Sequence, residues 1–207
     1  TSNTSIYDPV ANTFVAGPAL EAGADDRAGN GSHSIQRPDG KFLILLAGGA
    51  ITFVGNVTSI YDPVANTIVA GPTIVGTDAN VADLGSHSIQ RPDGKFLIML
   101  GNNTSNSSIY DPVANTFVAG PALVGTAASL VKDGSHSIQR PDGKFLVILG
   151  ANTSNTSIYD PVANTFVAGP ALVGTAASLV RYGSLSIQRP DGKFLVVLGN
   201  ATSNTSI

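Results

Sequence analysis

The sequence predicts an all-β fold, a four-bladed β-propeller of four-stranded antiparallel blades, because one unit recurs four times and each copy contains four short strand patterns. Two motifs, Tyr-Asp-Pro-Val-Ala-Asn-Thr and Arg-Pro-Asp-Gly-Lys-Phe-Leu, both recur in steps of 54, 49 and 49 residues. A period of about 40–50 residues with four strands per unit is typical of propeller blades. A β-helix is the structural alternative, but its repeats are usually shorter. The motifs begin at Tyr7, Tyr61, Tyr110 and Tyr159, and at Arg37, Arg91, Arg140 and Arg189.

In the third unit the predicted strands are 135–139, 144–149, 156–159 and 165–168. The second of these is apolar without alternation, which indicates a strand covered on both faces, as in a blade between two neighbours. In the Arg-Pro-Asp-Gly sequence at 140–143, proline presets φ and glycine supplies a positive φ, so we expect a tight turn between the first two strands. Residues 160–164 are expected to turn the chain between the third strand and the fourth.

Residues 136–150, 157–161 and 164–166 resemble kelch repeats of the galactose-oxidase type, and the resemblance covers almost the whole chain. It implies blades in which a buried second strand ends in glycine and a Tyr-Asp-Pro strand leads to Asn-Thr and an aromatic residue. The chain departs from that family in its single Gly150, where a glycine pair is usual, and in Phe166, where tryptophan is usual. The copper site of the related oxidases uses a cysteine-linked tyrosine. Because the chain has no cysteine, that activity is not implied and no cofactor is expected.

The strand order predicts a single β-propeller domain over residues 1–207. Residues 32–73, 86–122 and 135–171 supply approximately three complete blades. The last blade is expected to be a composite of N- and C-terminal strands, with 184–200 as its inner pair and 1–18 as its outer pair. The two ends of the chain would then close the ring.

This arrangement leaves a surplus strand, because residues 202–207 repeat residues 1–6. Either the sequence is a slice of a longer repeat array, or one copy is free to pair elsewhere, with a frayed terminus as the alternative. A free strand can add to a sheet edge of another molecule, and donation that does not close on itself produces a filament. The candidate residues for strand exchange are Thr1, Ser2, Asn3, Thr4, Ser5, Ile6, Thr202, Ser203, Asn204, Thr205, Ser206 and Ile207.

Ten asparagines have the Asn-X-Ser/Thr spacing of N-glycosylation acceptors. Most lie in the predicted hairpin between the second and third strands of a blade. Either the protein carries glycans, and is then secreted or displayed at the cell surface, or the repeat has multiplied good turn residues. The ten are Asn3, Asn30, Asn56, Asn102, Asn103, Asn106, Asn152, Asn155, Asn200 and Asn204.

His33, His87 and His136 recur at one position of the innermost strand, where the fourth copy has Leu185. Three imidazoles facing a channel would suit a metal or an anion. A ring of ligands built by symmetry should not accept an apolar member, so we interpret the histidines as part of the scaffold and predict no metal site.

Two further segments depart from the repeat. The first loop contains Glu21, Asp25, Asp26 and Arg27, which match no calcium-loop motif and are interpreted as a solvated loop. An insertion in the first unit places the apolar residues 51–54 at a hairpin tip, which needs a cover from its own blade or from a partner.

The composition excludes several function classes. Charged residues form 12% of the chain and the net charge is −3, with most basic residues lying singly in turns, so nucleic acid is not an expected partner. The longest apolar stretch, 42–54, is too short to span a membrane as a helix. The recurring Asp and Arg residues lie in turns, and no acids, bases and nucleophiles converge, so we expect no enzyme.

The expected function is therefore that of a non-enzymatic extracellular structural protein, a self-assembling filament subunit whose partner is itself. The alternative is a monomeric propeller binding module that recognises a glycan or a protein through its loop face. The two differ in assembly state, because a structural subunit polymerises alone and a binding module stays discrete.

Overall fold

The structure is a computed structural model that describes residues 3–20, 28–47, 57–75, 82–101, 104–124, 130–150, 153–173, 180, 182–199 and 205–206. Within these ranges the regular structure is all β, with seventeen short strands in five antiparallel sheets. The same ranges contain no helix that is long and apolar enough to cross a membrane.

The strands follow the sequence repeat. The N-terminal hairpin consists of β1 (Ser5–Asp8) and β2 (Thr13–Ala16). Sheet I contains β3 (His33–Gln36), β4 (Phe42–Leu45), β5 (Thr58–Asp62) and β6 (Thr67–Ala70). Sheet II contains β7 (His87–Gln90), β8 (Phe96–Met99), β9 (Ser107–Asp111) and β10 (Thr116–Ala119). Sheet III contains β11 (His136–Gln139), β12 (Phe145–Ile148), β13 (Thr156–Asp160) and β14 (Thr165–Ala168). Sheet IV contains β15 (Leu185–Gln188), β16 (Phe194–Val197) and β17 (Thr205–Ser206).

The predicted fold class is confirmed: the chain is all β, and its repeated antiparallel sheets form a propeller-like arrangement. Strands in each sheet are hydrogen-bonded in sequence order, so every sheet is a simple up-and-down meander. In sheet III the observed strands match the four predicted ones to within one residue at each end. The strand bounds could be predicted from the sequence because each strand is flanked by residues that strongly favour turns.

Two turns recur in every complete sheet. At the first, Gly143 has φ +79° and its amide donates to the Arg140 carbonyl at 3.0 Å, as the Pro-Asp-Gly sequence predicts. At the second, Asp160 Oδ1 accepts from the amides of Val162 and Ala163, both at 3.0 Å. Asn164 then takes the left-handed φ of +54° that asparagine tolerates better than other side chains.

The predicted composite blade is wrong. In sheet IV, β16 pairs with the C-terminal strand β17, Val196 opposite Ser206 and Val197 opposite Thr205. The hairpin of β1 and β2 forms a sheet of its own. The two candidate strands have the same sequence, so side chains do not decide between them. Chain connectivity does, because the short loop from β16 to β17 costs far less entropy to close than a connection across the whole molecule.

The core lies between the sheets, where each sheet packs on the next. Between sheets II and III, Ile89, Leu97 and Ile109 form a buried cluster with Tyr159 and Phe166. The two aromatic rings lie on the outer strands β13 and β14, with centroids 4.9 Å apart. The outer hairpin of one sheet therefore covers the apolar face of the preceding sheet.

A hydrogen-bonded junction secures the same interface. Asn164 Oδ1 accepts from the Tyr159 hydroxyl at 2.9 Å and from Arg91 Nη1 of sheet II at 3.0 Å. Burial raises the pKa of the Tyr159 hydroxyl, which keeps it protonated and able to donate. Arg37 makes the equivalent 3.0 Å bond from sheet I to Asn115 of sheet II. One asparagine thus joins a turn, an aromatic ring and the neighbouring sheet.

Replacing that asparagine should destabilise the protein. Asn164→Ala is expected to lower the free energy of unfolding by about 2–3 kcal/mol, because two buried donors lose their acceptor and alanine disfavours positive φ. Asn12→Ala is the matched control, since Asn12 has the same φ of +54° and bonds Tyr7, but in an exposed hairpin. Urea denaturation should show a loss below about 1 kcal/mol for the control. Equal losses in both variants would contradict a role for the junction between sheets.

Candidate functional site

Sheet IV has three strands among the described residues, whereas sheets I to III have four. Its third strand, β17, pairs with β16 at two positions, whereas β13 pairs with β12 at four. Among the described residues no fourth strand follows β17. The described outer strand of sheet IV is therefore shorter than those of sheets I to III.

An apolar cleft of about 520 Å³ lies between sheets III and IV. Ile138, Leu146 and Ile158 line it on the side of sheet III. They correspond, 49 residues later, to Ile89, Leu97 and Ile109 of sheet II. Leu97 is fully buried, whereas Leu146 and Ile158 are only half-buried. The cleft is thus the repeated interface between sheets without its aromatic cover.

The N-terminal hairpin contains an aromatic pair like the one that covers sheet II. Tyr7 and Phe14 of the N-terminal hairpin have ring centroids 4.9 Å apart and an interplanar angle of 38°, against 4.9 Å and 39° for Tyr159 and Phe166. Their exposures differ sharply: Tyr7 and Phe14 are 47% and 71% exposed, and Tyr159 and Phe166 are 0% and 6% exposed. The hairpin has the shape of an outer strand pair without a sheet to cover.

The inner face of sheet IV is also open. Ile187 is 52% exposed, whereas its counterparts Ile35, Ile89 and Ile138 are 3%, 3% and 6% exposed. In the earlier copies the next sheet covers this isoleucine. Sheet I of the same chain therefore does not cover sheet IV in the way that sheet II covers sheet I.

The inner-strand histidines form a hydrogen-bonded ladder. His87 Nδ1 lies 2.8 Å from the Gly85 carbonyl, which only accepts, so Nδ1 carries the proton and Nε2 accepts from the Ser137 hydroxyl at 2.8 Å. His136 repeats the pattern with Ser186 at 2.7 Å. Each imidazole therefore ties the innermost strand of one sheet to that of the next.

Burial strongly favours the neutral imidazoles. It lowers the pKa of His87 from 6.5 to about 4, mainly by desolvation, and lowers the pKa of His33 and of His136 for the same reason. In the described part of the chain no three His, Cys, Asp or Glu side chains are placed to hold a metal ion. Leu185 occupies the fourth position on β15, so the ladder ends at sheet IV.

Two open grooves run beside the inner strands. One, of about 590 Å³, is lined by Ser34, Gln36 and Arg37 of sheet I and by side chains of sheet II. The next, of about 500 Å³, repeats this lining with Ser88 and Gln90. The grooves offer hydroxyl, amide and guanidinium groups at the spacing of the repeat.

The asparagines of the glycosylation acceptor sequences differ in their exposure to solvent. Asn3 and Asn30 are exposed, whereas Asn106 and Asn155 are half-buried. The other six lie outside the described residues: Asn56, Asn102, Asn103, Asn152, Asn200 and Asn204. Accessibility to a glycosylating enzyme therefore differs within the set.

Several other predicted features cannot be placed. The loop with Glu21, Asp25, Asp26 and Arg27 and the apolar tip at 51–54 lie outside the described residues. Of the candidate strand-exchange residues, so do Thr1, Ser2, Thr202, Ser203, Asn204 and Ile207. In the remaining set, Ser5 and Ile6 lie on β1, and Thr205 and Ser206 form β17.

Comparison with known proteins gives the fold alone. No family model matches the chain, and no curated protein matches it in sequence. Among solved structures it is similar to "Kuenenia stuttgartiensis Hydrazine Synthase", with a TM-score of 0.59 and 16% identity. The match covers 94% of this chain and 49% of that chain, so this chain spans about half the length of its structural neighbour. At this identity the similarity is one of architecture alone.

Sequence reasoning identified the duplicated terminal strand but missed the cleft. The signal was available, because Tyr7 and Phe14 repeat the aromatic pairs Tyr110–Phe117 and Tyr159–Phe166. What the repeat pattern did not reveal is that the N-terminal hairpin stands apart from sheet IV.

Stability should fall in mild acid because of His87. Between pH 6.5 and about 4 the unfolded chain binds a proton at this imidazole and the folded chain does not, so folding stability rises with pH over that window. The loss on going from pH 7.5 to 4.5 should be up to about 3 kcal/mol from this group. His87→Leu, which copies the residue at position 185, should reduce the difference between urea midpoints at the two pH values. An unchanged difference would show that His87 is not the source.

Proposed function

We propose that the protein is a non-enzymatic structural subunit that assembles with copies of itself into filaments by strand exchange. The observation that carries this proposal is the pairing of the duplicated strand: residues 202–207 repeat residues 1–6, β17 takes the third-strand position of sheet IV, and the hairpin of β1 and β2 forms a sheet of its own with Tyr7 and Phe14 exposed. An edge that accepts strands and a segment that donates them are the two requirements of strand addition.

Several properties of the chain support a structural role. Its repeat units are nearly identical, so most of its sequence specifies one scaffold. The recurring charged residues are used within that scaffold: Lys144 pairs with Asp160 at 2.9 Å, and Arg140 with Asp142 at 3.1 Å. The titratable groups with shifted pKa values are explained by turns, by burial or by the histidine ladder.

We place the protein outside the cell or at its surface, as a glycoprotein. The support is the density of acceptor sequences, ten in 207 residues, and the exposure of Asn3 and Asn30. A low charged fraction of 12% suits a subunit that packs against copies of itself, because little charge repulsion opposes association.

We further propose that the sheets are kelch-like blades of the galactose-oxidase type. The strand after the Pro-Asp-Gly turn ends at a glycine with positive φ, +71° at Gly101 and +67° at Gly150. A Cβ at Gly150 would meet the Asp133 carbonyl of the neighbouring loop, so glycine is needed there for close backbone approach. These features accord with the motif that suggested the family.

A monomeric binding module is the second candidate, and the inner grooves favour it. Their Ser, Gln and Arg side chains offer the donors and acceptors that hydroxyl-rich ligands such as glycans require. In this alternative the repeat serves to present the same polar groups several times along one surface.

Assembly state separates the two candidates. Purified protein viewed by negative-stain electron microscopy over a dilution series should show fibres that shorten on dilution, because donation between copies is concentration-dependent. Discrete particles at every concentration, together with saturable glycan binding, would instead establish the binding module.

Glycan occupancy should follow exposure. In protein secreted from a glycosylating host, intact mass should exceed 21.0 kDa, and peptide mapping should find Asn3 and Asn30 more fully occupied than Asn106 and Asn155. The reason is that the transferase needs an exposed, extended acceptor. Unmodified mass would contradict the glycoprotein assignment, and equal occupancy at half-buried and exposed positions would contradict the dependence on exposure.

A further inference from the structure

We propose that the two grooves beside the inner strands form one binding site for a neutral, linear oligosaccharide chain. The groove between sheets I and II and the groove between sheets II and III together make up this site, called here the polar track. The polar track rests on the second candidate function, the binding module, and does not depend on filament assembly. It adds to that candidate the charge and length of the ligand and the side chains that hold it.

The polar side chains of the track are free to bind a ligand. Ser34 and Gln36 lie on β3. Ser88 and Gln90 hold the same places on β7. In the described structure none of these four side chains makes a hydrogen bond within the protein. Ser34, Gln36 and Gln90 are exposed, and Ser88 is half-buried. Their hydroxyl and amide groups both donate and accept, as the hydroxyls of a sugar do.

Apolar surface lies beside these polar groups. Pro38 lines the first groove, and Phe96 lies opposite Gln90 in the pairing of β7 with β8. In the second groove Phe145 lies opposite Gln139 in the same way. A sugar ring presents C–H groups on its faces and hydroxyls at its edge, so it suits a site that combines apolar surface with a few polar groups.

The charged groups of the track are already neutralised. Arg37 and Arg91 each line one of the grooves. Each pairs with an aspartate two residues later, Asp39 at 3.2 Å and Asp93 at 3.1 Å. An anionic chain would have to compete with these carboxylates for the guanidinium groups and would be repelled by them. Charge complementarity therefore favours an uncharged ligand over an acidic polysaccharide.

The two grooves share a wall, which favours a chain over a single sugar. Ser88 and Gln90 line both grooves, whose volumes are about 590 and 500 Å³. A chain that leaves the first groove therefore enters the second, where it meets the same residue types again. Gln36 serves the first groove and Gln139 the second. Binding in both grooves raises the effective concentration of the second contact, so longer chains bind more tightly.

The backbone that carries the track is held in place by contacts between the sheets. Arg37 Nη1 joins sheet I to sheet II through Asn115 at 3.0 Å. His87 Nε2 accepts from the Ser137 hydroxyl of sheet III at 2.8 Å. The strands that bear the free serine and glutamine side chains therefore need little ordering when a ligand binds, which lowers the entropic cost of binding.

The first test measures affinity against chain length and charge by isothermal titration calorimetry with the full chain. The probes are linear oligosaccharides of glucose, mannose, galactose or N-acetylglucosamine, each as a disaccharide and as a hexasaccharide. We expect at least one hexasaccharide to bind, about tenfold more tightly than its disaccharide, because only the longer chain reaches both grooves. A hexasaccharide of galacturonic acid should bind more weakly than that neutral chain.

The second test compares three glutamines with the hexasaccharide that binds best. Gln90→Ala should weaken binding about tenfold, because its amide serves both grooves and each lost hydrogen bond between neutral groups costs about threefold or more. Gln36→Ala serves one groove and should weaken binding about threefold. Gln188→Ala is the matched control, since Gln188 holds the same place on β15, is also exposed and lines neither groove. Its affinity should equal that of the wild type.

Every outcome bears on the polar track. Loss with Gln90→Ala, a smaller loss with Gln36→Ala and no change with Gln188→Ala would support it. Equal affinity in all three variants would show that the sugar binds elsewhere and would overturn it. A wild-type chain that binds none of the neutral probes at millimolar concentration, or that binds the galacturonate chain more tightly, would also overturn it. Electron microscopy reads the assembly state independently, so failure of the track and failure of the filament proposal are separate results.

Discussion

The structure depends on one repeated interface, in which the outer hairpin of each sheet covers the apolar face of the sheet before it. Individual strands of two to five residues bury too little surface to be stable alone. Stability comes instead from the packing of each sheet on the next, where Leu43 and Leu97 are completely buried. The hydrogen bonds from Tyr159 and Arg91 to Asn164 then hold one sheet in position against the next.

The packing between sheets is not equally complete along the described chain. Sheets II and III each pack on a sheet on either side, whereas part of sheet IV is exposed in the described structure. Leu146 and Ile158 of sheet III are half-exposed, and Ile187 of sheet IV is exposed. Repeat proteins commonly cover such faces with atypical terminal units, or use them to associate.

The inner strands carry a second, polar link between the sheets. His87 and His136 each donate to a carbonyl of their own sheet and accept from a serine of the next. Their Nε2 atoms have a donor only when the following sheet is in place. His33 departs from this pattern, since its Nε2 is buried and has no hydrogen bond in the described structure although sheet II follows it.

The sequence by itself determined the local structure, because turns and strands depend on residues close together in the chain. Pro-Asp-Gly and Asp-Pro through Asn specify their turns by backbone preference, so the strand bounds of sheet III were predicted almost to the residue. The sequence also determined that residues 1–6 and 202–207 compete for one place. Only the tertiary structure decided the outcome, with β17 on sheet IV and the hairpin apart. Identical strands carry identical local signals, so the choice between them rests on chain connectivity and on which faces the other sheets cover.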